Sequence, residues 1–208
     1  MRKSARTGLV AAAVLASGLA LTATPASADD ATWTISPAGN FQGFSDGPTT
    51  LKDEVTGTTL TCTDSTADGN VPVAGSNLPG EGIANVTGIS FTNCSGPGGL
   101  QFTVIPSNFN WPLNAGSYDG SDVTTGTITG IKAKLQGPGC SADVGGPTAG
   151  SAGQVVGTYT NSTNALATSG GNLTIHNVVG CFGLIGSGHA STFKGTYFLD
   201  QPVEITSP

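Results

Sequence analysis

Five glycine-proline steps, Gly47-Pro48, Pro79-Gly80, Gly96-Pro97, Gly137-Pro138 and Gly146-Pro147, punctuate this chain with turns and leave short apolar runs between them. Those runs include Val86-Phe91, Leu100-Ile105, Ile128-Leu135 and Leu173-Val179. Glycine reaches 32 of 208 residues, serine and threonine are abundant, and few side chains are of the long kind that helices favour. The pattern predicts strands at Thr32-Ser36, Thr58-Thr63, Asn85-Thr92, Leu100-Ile105, Val123-Leu135, Gln154-Thr160, Asn172-Val179 and Ser191-Leu199. Many short strands need a second sheet, or closure, to bury one face. The expected fold is therefore all-β, a two-sheet sandwich or a partly closed barrel.

Parity adds detail. Leu60 and Cys62 share a face, as do Leu173, Ile175, Val179 and Cys181. Cys94 falls out of phase with Ile89 and Phe91, so a bulge or a strand end is required at Asn93. The tract Gly145-Gly153 reads as a long loop.

The first 28 residues have a different character. Arg2, Lys3 and Arg6 are followed by an apolar stretch from Gly8 to Ala23, and Ala26-Ser27-Ala28 offers a small-residue cleavage site before Asp29-Asp30. This predicts a secretory signal peptide over 1–28 and a mature domain over 29–208, with two related β units at about 32–120 and 121–208 as a finer division. No later apolar run approaches membrane length. In an exported chain the four cysteines, Cys62, Cys94, Cys140 and Cys181, are expected to be oxidised. Three connectivities are open. Nearest-neighbour pairing, Cys62 with Cys94 and Cys140 with Cys181, is favoured because each half then carries one staple, each worth roughly 4 kcal/mol by loop entropy. No C-x-x-C pair or suitably spaced histidine points to zinc.

Charge narrows the partners. Beyond the leader the basic residues are Lys52, Lys132, Lys134 and Lys194, against 13 carboxylates, and no arginine remains. Nucleic acid is excluded as a partner, because counterion release needs clustered cations. A cell-wall or glycan surface is compatible.

Candidate chemistry is sparse. Gly43-Phe44-Ser45-Asp46-Gly47 matches the G-x-S-x-G elbow formally, but Pro48 and Thr49-Thr50 do not open a helix. His176 is out of phase with Leu173 and Ile175 and is expected to face solvent, and His189 sits in a Gly-Ser-Gly turn. Asp53 and Glu54 are adjacent and would point to opposite faces. Asp64-Asn70 and Asp119-Asp122 gather side-chain oxygens but lack the spacing of a calcium loop, and read as solvated turns. Neither a metal nor a cofactor is expected. The segment holding Phe109, Trp111, Tyr118 and Asp119 is the candidate ligand-binding stretch, since aromatic rings beside amides and a carboxylate suit a sugar; core packing is the competing reading.

Tyr159-Thr163, Asn177-Ile185 and Phe193-Tyr197, with Trp111-Leu113 and Gly139-Ala142 before them, resemble a family of small secreted β-rich proteins of actinobacteria, Streptomyces especially. The resemblance implies export and a disulfide-stapled β fold, and supplies no catalytic residues. The expected role is a non-catalytic extracellular or envelope-associated protein. A carbohydrate-binding module is the alternative, and a hydrolase the third reading.

Overall fold

The structure, a computed structural model, describes residues 32–208, so the leader read at 1–28 lies outside the described residues. The first third contributes β1 (Trp33–Ser36), β2 (Gly39–Ser45), β3 (Thr49–Asp53), β4 (Thr59–Val71), β5 (Gly75–Leu78) and β6 (Ala84–Ser95). Then come β7 (Gln101–Ser107), β8 (Trp111–Tyr118), β9 (Val123–Gly137), β10 (Cys140–Gly145) and β11 (Gly153–Thr160). The last are β12 (Ala165–Gly171), β13 (Thr174–Gly180), β14 (Ser191–Leu199) and β15 (Glu204–Thr206). The fold is all-β, as the turn punctuation predicts.

Twelve strands form one antiparallel sheet that closes on itself over part of its length, and β15, β1 and β5 form a small second sheet. The ring runs β9, β11, β12, β14, β2, β4, β6 and β8, and returns to β9. Where the ring closes, it removes free edges that an open sheet of this size would have to protect. Further along the same long strands, β3 replaces β2 between β14 and β4, and β7 replaces β8 between β6 and β9. There β10 and β13 continue the sheet from β9, and a bridge from Thr174 to Ala190 brings β13 to the start of β14.

Inward residues form two apolar clusters. One holds Leu60, Val86, Trp111, Ile128, Leu135 and Val155; the other holds Trp33, Ile35, Phe41, Val71, Val203 and Ile205, through which the small sheet packs over one end. Gly69 sits under the Phe41 ring, where a Cβ would collide with it, so this strand crossing requires glycine.

Both favoured disulfides are present, Cys62–Cys94 and Cys140–Cys181. Asn93 adopts φ 48°, which turns Cys94 inward opposite Cys62 despite the phase of Ile89 and Phe91. Several expectations need correction. Val179 is 69% exposed, because Asn177 at φ 50° and a register shift between β10 and β13 change the phase after Ile175. Residues 64–70 belong to β4 and are no turn. His176 is buried, its Nε2–H donating to the Gly146 carbonyl at 2.9 Å, because the loop after β10 folds across its strand.

Candidate functional site

Alternation on the ring strands sends apolar side chains to the barrel axis without filling it. A cavity of about 110 Å³ remains, walled by residues such as Leu60, Val86, Trp111, Ile131, Leu135 and Val155. A second, of about 60 Å³, lies toward the small sheet and shares Phe41, Leu113, Ile128, Leu166 and Leu199 with the first. Among the described residues no charged side chain lines either one.

Most wall hydroxyls are engaged within the fold. Tyr197 donates to Ser65 Oγ at 2.9 Å, Tyr159 to the Val203 carbonyl at 2.8 Å and Thr168 to the Gly195 carbonyl at 3.1 Å. Burial, partly offset by the Ser65 bond, pushes the Tyr197 phenol up to about 12. Thr49 Oγ1, by contrast, is buried without a partner.

The wall has a seam. β6 pairs with β8 only at Ala84 to Val86 and with β7 only at Cys94 and Ser95, so residues 87–93 make no ladder on that side. Facing them, residues 103–107 of β7 pair with β9 alone. Proline at position 106 suits such a free edge, since it offers no N–H. The apolar side chains Ile89, Phe91, Val104 and Pro106 line the cavity and are only half-buried. Just inside, Phe91 meets Phe193 edge to face with ring centroids 5.9 Å apart.

The four candidate ligand-binding residues are dispersed around this wall. Trp111 is 5% exposed, lines the cavity and donates its indole N–H to the Ser107 carbonyl at 3.1 Å. Phe109 is 40% exposed and leans on Trp111 at 5.6 Å. Tyr118, at the far end of β8, is half-buried. Asp119 closes its own turn, its Oδ1 accepting from the amides of Ser121, Asp122 and Val123; those bonds hold its carboxyl down to about 2.

Elsewhere polar residues knot turns together. Asp53 is buried at the end of β3, and its carboxylate accepts from the amides of Val55, Thr56 and Gly186 and lies 2.8 Å from His189 Nδ1. Burial raises its pKa, but the amides and His189 outweigh that and hold it below the usual aspartate value. Glu54 faces outward and pairs with Lys52 at 2.8 Å. Ser45 lies on β2, its Oγ accepting from the Ser65 amide at 2.9 Å, with no strand-to-helix elbow around it.

Sequence reasoning marked Phe109 and Trp111 but missed the seam beside them. The available signal was Pro106, directly after the apolar run Leu100-Ile105, since proline confines a strand to an edge.

A family model described as "Alkane oxidation protein activator PraA/PraB-like" matches residues 1–196. No curated protein and no solved structure matches this chain.

Proposed function

The chain belongs to the alkane oxidation protein activator PraA/PraB-like family, and from that premise we propose that it is a secreted, non-catalytic accessory to alkane oxidation. The match over residues 1–196 carries this reading, since it runs from the leader into β14. Export is supported by the leader pattern at 1–28 and by two disulfides, which persist in oxidising compartments. Among the described residues no helix is long and apolar enough to cross a membrane. In this reading the mature protein begins at Asp29 and forms one all-β domain, and the resemblance to Streptomyces-type secreted proteins suits an actinobacterial producer. A non-catalytic role fits the inward commitment of Asp53 to His189 and neighbouring amides.

Deletion in the producing strain tests the role. Growth on n-hexadecane as sole carbon source should slow, growth on glucose should not, and purified mature protein added to the medium should restore the former. The supernatant form should start at Asp29 by mass spectrometry. Unchanged growth on hexadecane would overturn the accessory role, and a chain retained in the cell with its leader would overturn export. The second reading, a carbohydrate-binding module, is favoured by Phe109, the one of the four candidate ligand-binding residues that offers an exposed ring. Saturable retention on an insoluble glycan, lost in Phe109→Ala, would promote it.

A further inference from the structure

We propose that the barrel lumen binds the uncharged end of an unbranched alkyl chain, admitted sideways through the seam between β6 and β7. The choice of an alkane among apolar ligands rests on the accessory reading above; the site itself rests on the geometry.

Three observations carry it. The first is room: apolar cavities of about 150 Å³ stay dry and take up small apolar molecules, and here about 110 Å³ adjoins a further 60 Å³. If a methylene fills about the volume share of a water, roughly 30 Å³, the two chambers hold on the order of six carbons. Phe41, Leu113, Ile128, Leu166 and Leu199 line both chambers and stand between them, so the larger chamber alone takes about four carbons at that volume and the second is reached past these side chains.

The second is chemistry. With no charged residue in either lining among the described residues, a carboxylate or ammonium drawn inside would lose its hydration and gain no partner. Thr49 Oγ1 is a fully buried, unpartnered polar atom among the wall residues, and it is uncharged. The lumen therefore selects hydrocarbon over its ionised oxidation products.

The third is access. Barrels and sheets ordinarily pair, cover or charge their free edges. This one leaves facing edges at 87–93 and 103–107 unpaired with each other and sets the apolar, half-buried Ile89, Phe91, Val104 and Pro106 along them. An uncharged chain crosses such a mouth without stranding a polar group.

The test uses the disulfide-intact mature protein with labelled methyl groups, titrated with n-hexane and separately with sodium hexanoate. Hexane should shift the methyls of Leu60, Ile131, Val155 and Leu166 saturably, and hexanoate should not. Ala133→Leu and, independently, Ala67→Leu place bulk in the lining, so the folded filled variant should bind hexane roughly tenfold more weakly or worse. Val104→Trp at the mouth should slow hexane exchange by about tenfold while changing its equilibrium affinity far less. No saturable shift in the parent protein, shifts undiminished in both filled variants, or equal binding of hexanoate would each overturn the lumen as an alkane site. Unchanged exchange in Val104→Trp would overturn the seam as its doorway. Absent hexane binding with growth still restored on hexadecane would remove the lumen and leave the accessory role standing. Hexane binding without restored growth would sustain the lumen and remove that role.

Discussion

Asp53, buried at the end of β3, is held by two turns at once. Adjacent to Glu54, it reads as one of two carboxylates on opposite faces, with nothing to mark which is buried, and the end of β3 turns Asp53 inward. There it joins the turn at 53–58 to the turn at 186–189 through His189 and the Gly186 amide. Hydrogen bonds to a charged group are worth about 1.5–3 kcal/mol each, so Asp53→Asn should destabilise the protein by at least that amount, because an amide cannot accept all four. The pH dependence has a definite sign. A carboxyl held below its ordinary value stabilises the fold above the ordinary aspartate range, and that stability is lost as pH falls through the lower native value. The Tm of the parent should therefore decrease as pH falls below about 4. Asp53→Asn should show a shallower decline, keeping the part due to Asp119, which protonates at about 2. An equally steep acid limb in the variant would show that the knot contributes nothing to acid stability. Trp111 carries a related lesson: its two readings, core and ligand wall, coincide, because the core here surrounds a cavity.

At the scale of strands, the sequence was legible where apolar residues alternate and obscure where glycine or short polar residues fill the strand. β6, β9, β11 and β14 carry clear patterns and lie at or near their expected places, whereas β4 was legible only over its first five residues, its polar second half having the composition of a turn. β2 (GNFQGFS), β5 (GSNL) and β12 (ALATSGG) do not announce themselves, because ring closure and neighbouring ladders, rather than their own side chains, hold them as strands. Phase was the weaker inference, since left-handed Asn93 and Asn177 each reset which face points inward. The disulfides lie just beyond those resets. Cys62–Cys94 joins directly paired positions of β4 and β6, and Cys140–Cys181 ties the start of β10 to the turn after β13. Replacing either pair by serine should cost about 2–4 kcal/mol in urea unfolding. The Cys62/Cys94 variant should also show raised hydrogen exchange at residues 87–93, because this staple anchors β6 at one end of the seam. Exchange unchanged there would mean that the β4 ladder alone fixes the seam's edge.

The molecule as a whole is a ring that neither half of the chain completes. β9 and β14, from the second half, pair with β7, β8, β2 and β3 from the first. Both apolar clusters are mixed in the same way: Trp33 packs in a cluster with Tyr159, Val203 and Ile205, and Trp111 in one with Val144, Val155 and Leu173. Leu113 and Leu166 pack against both clusters, so the wall between the chambers is also the mechanical link between the cores. We therefore expect one cooperative unit rather than two β units that melt independently. The two tryptophans test this directly, because each reports on contacts from both halves of the chain. In urea, Trp33→Phe leaves only Trp111 fluorescent, and Trp111→Phe leaves only Trp33. Each variant's fluorescence transition should be single and should coincide with its own loss of circular dichroism. A biphasic transition, or fluorescence and circular dichroism midpoints that separate within one variant, would show that the cap end or one half unfolds by itself, and the barrel would then be two stability units sharing a wall.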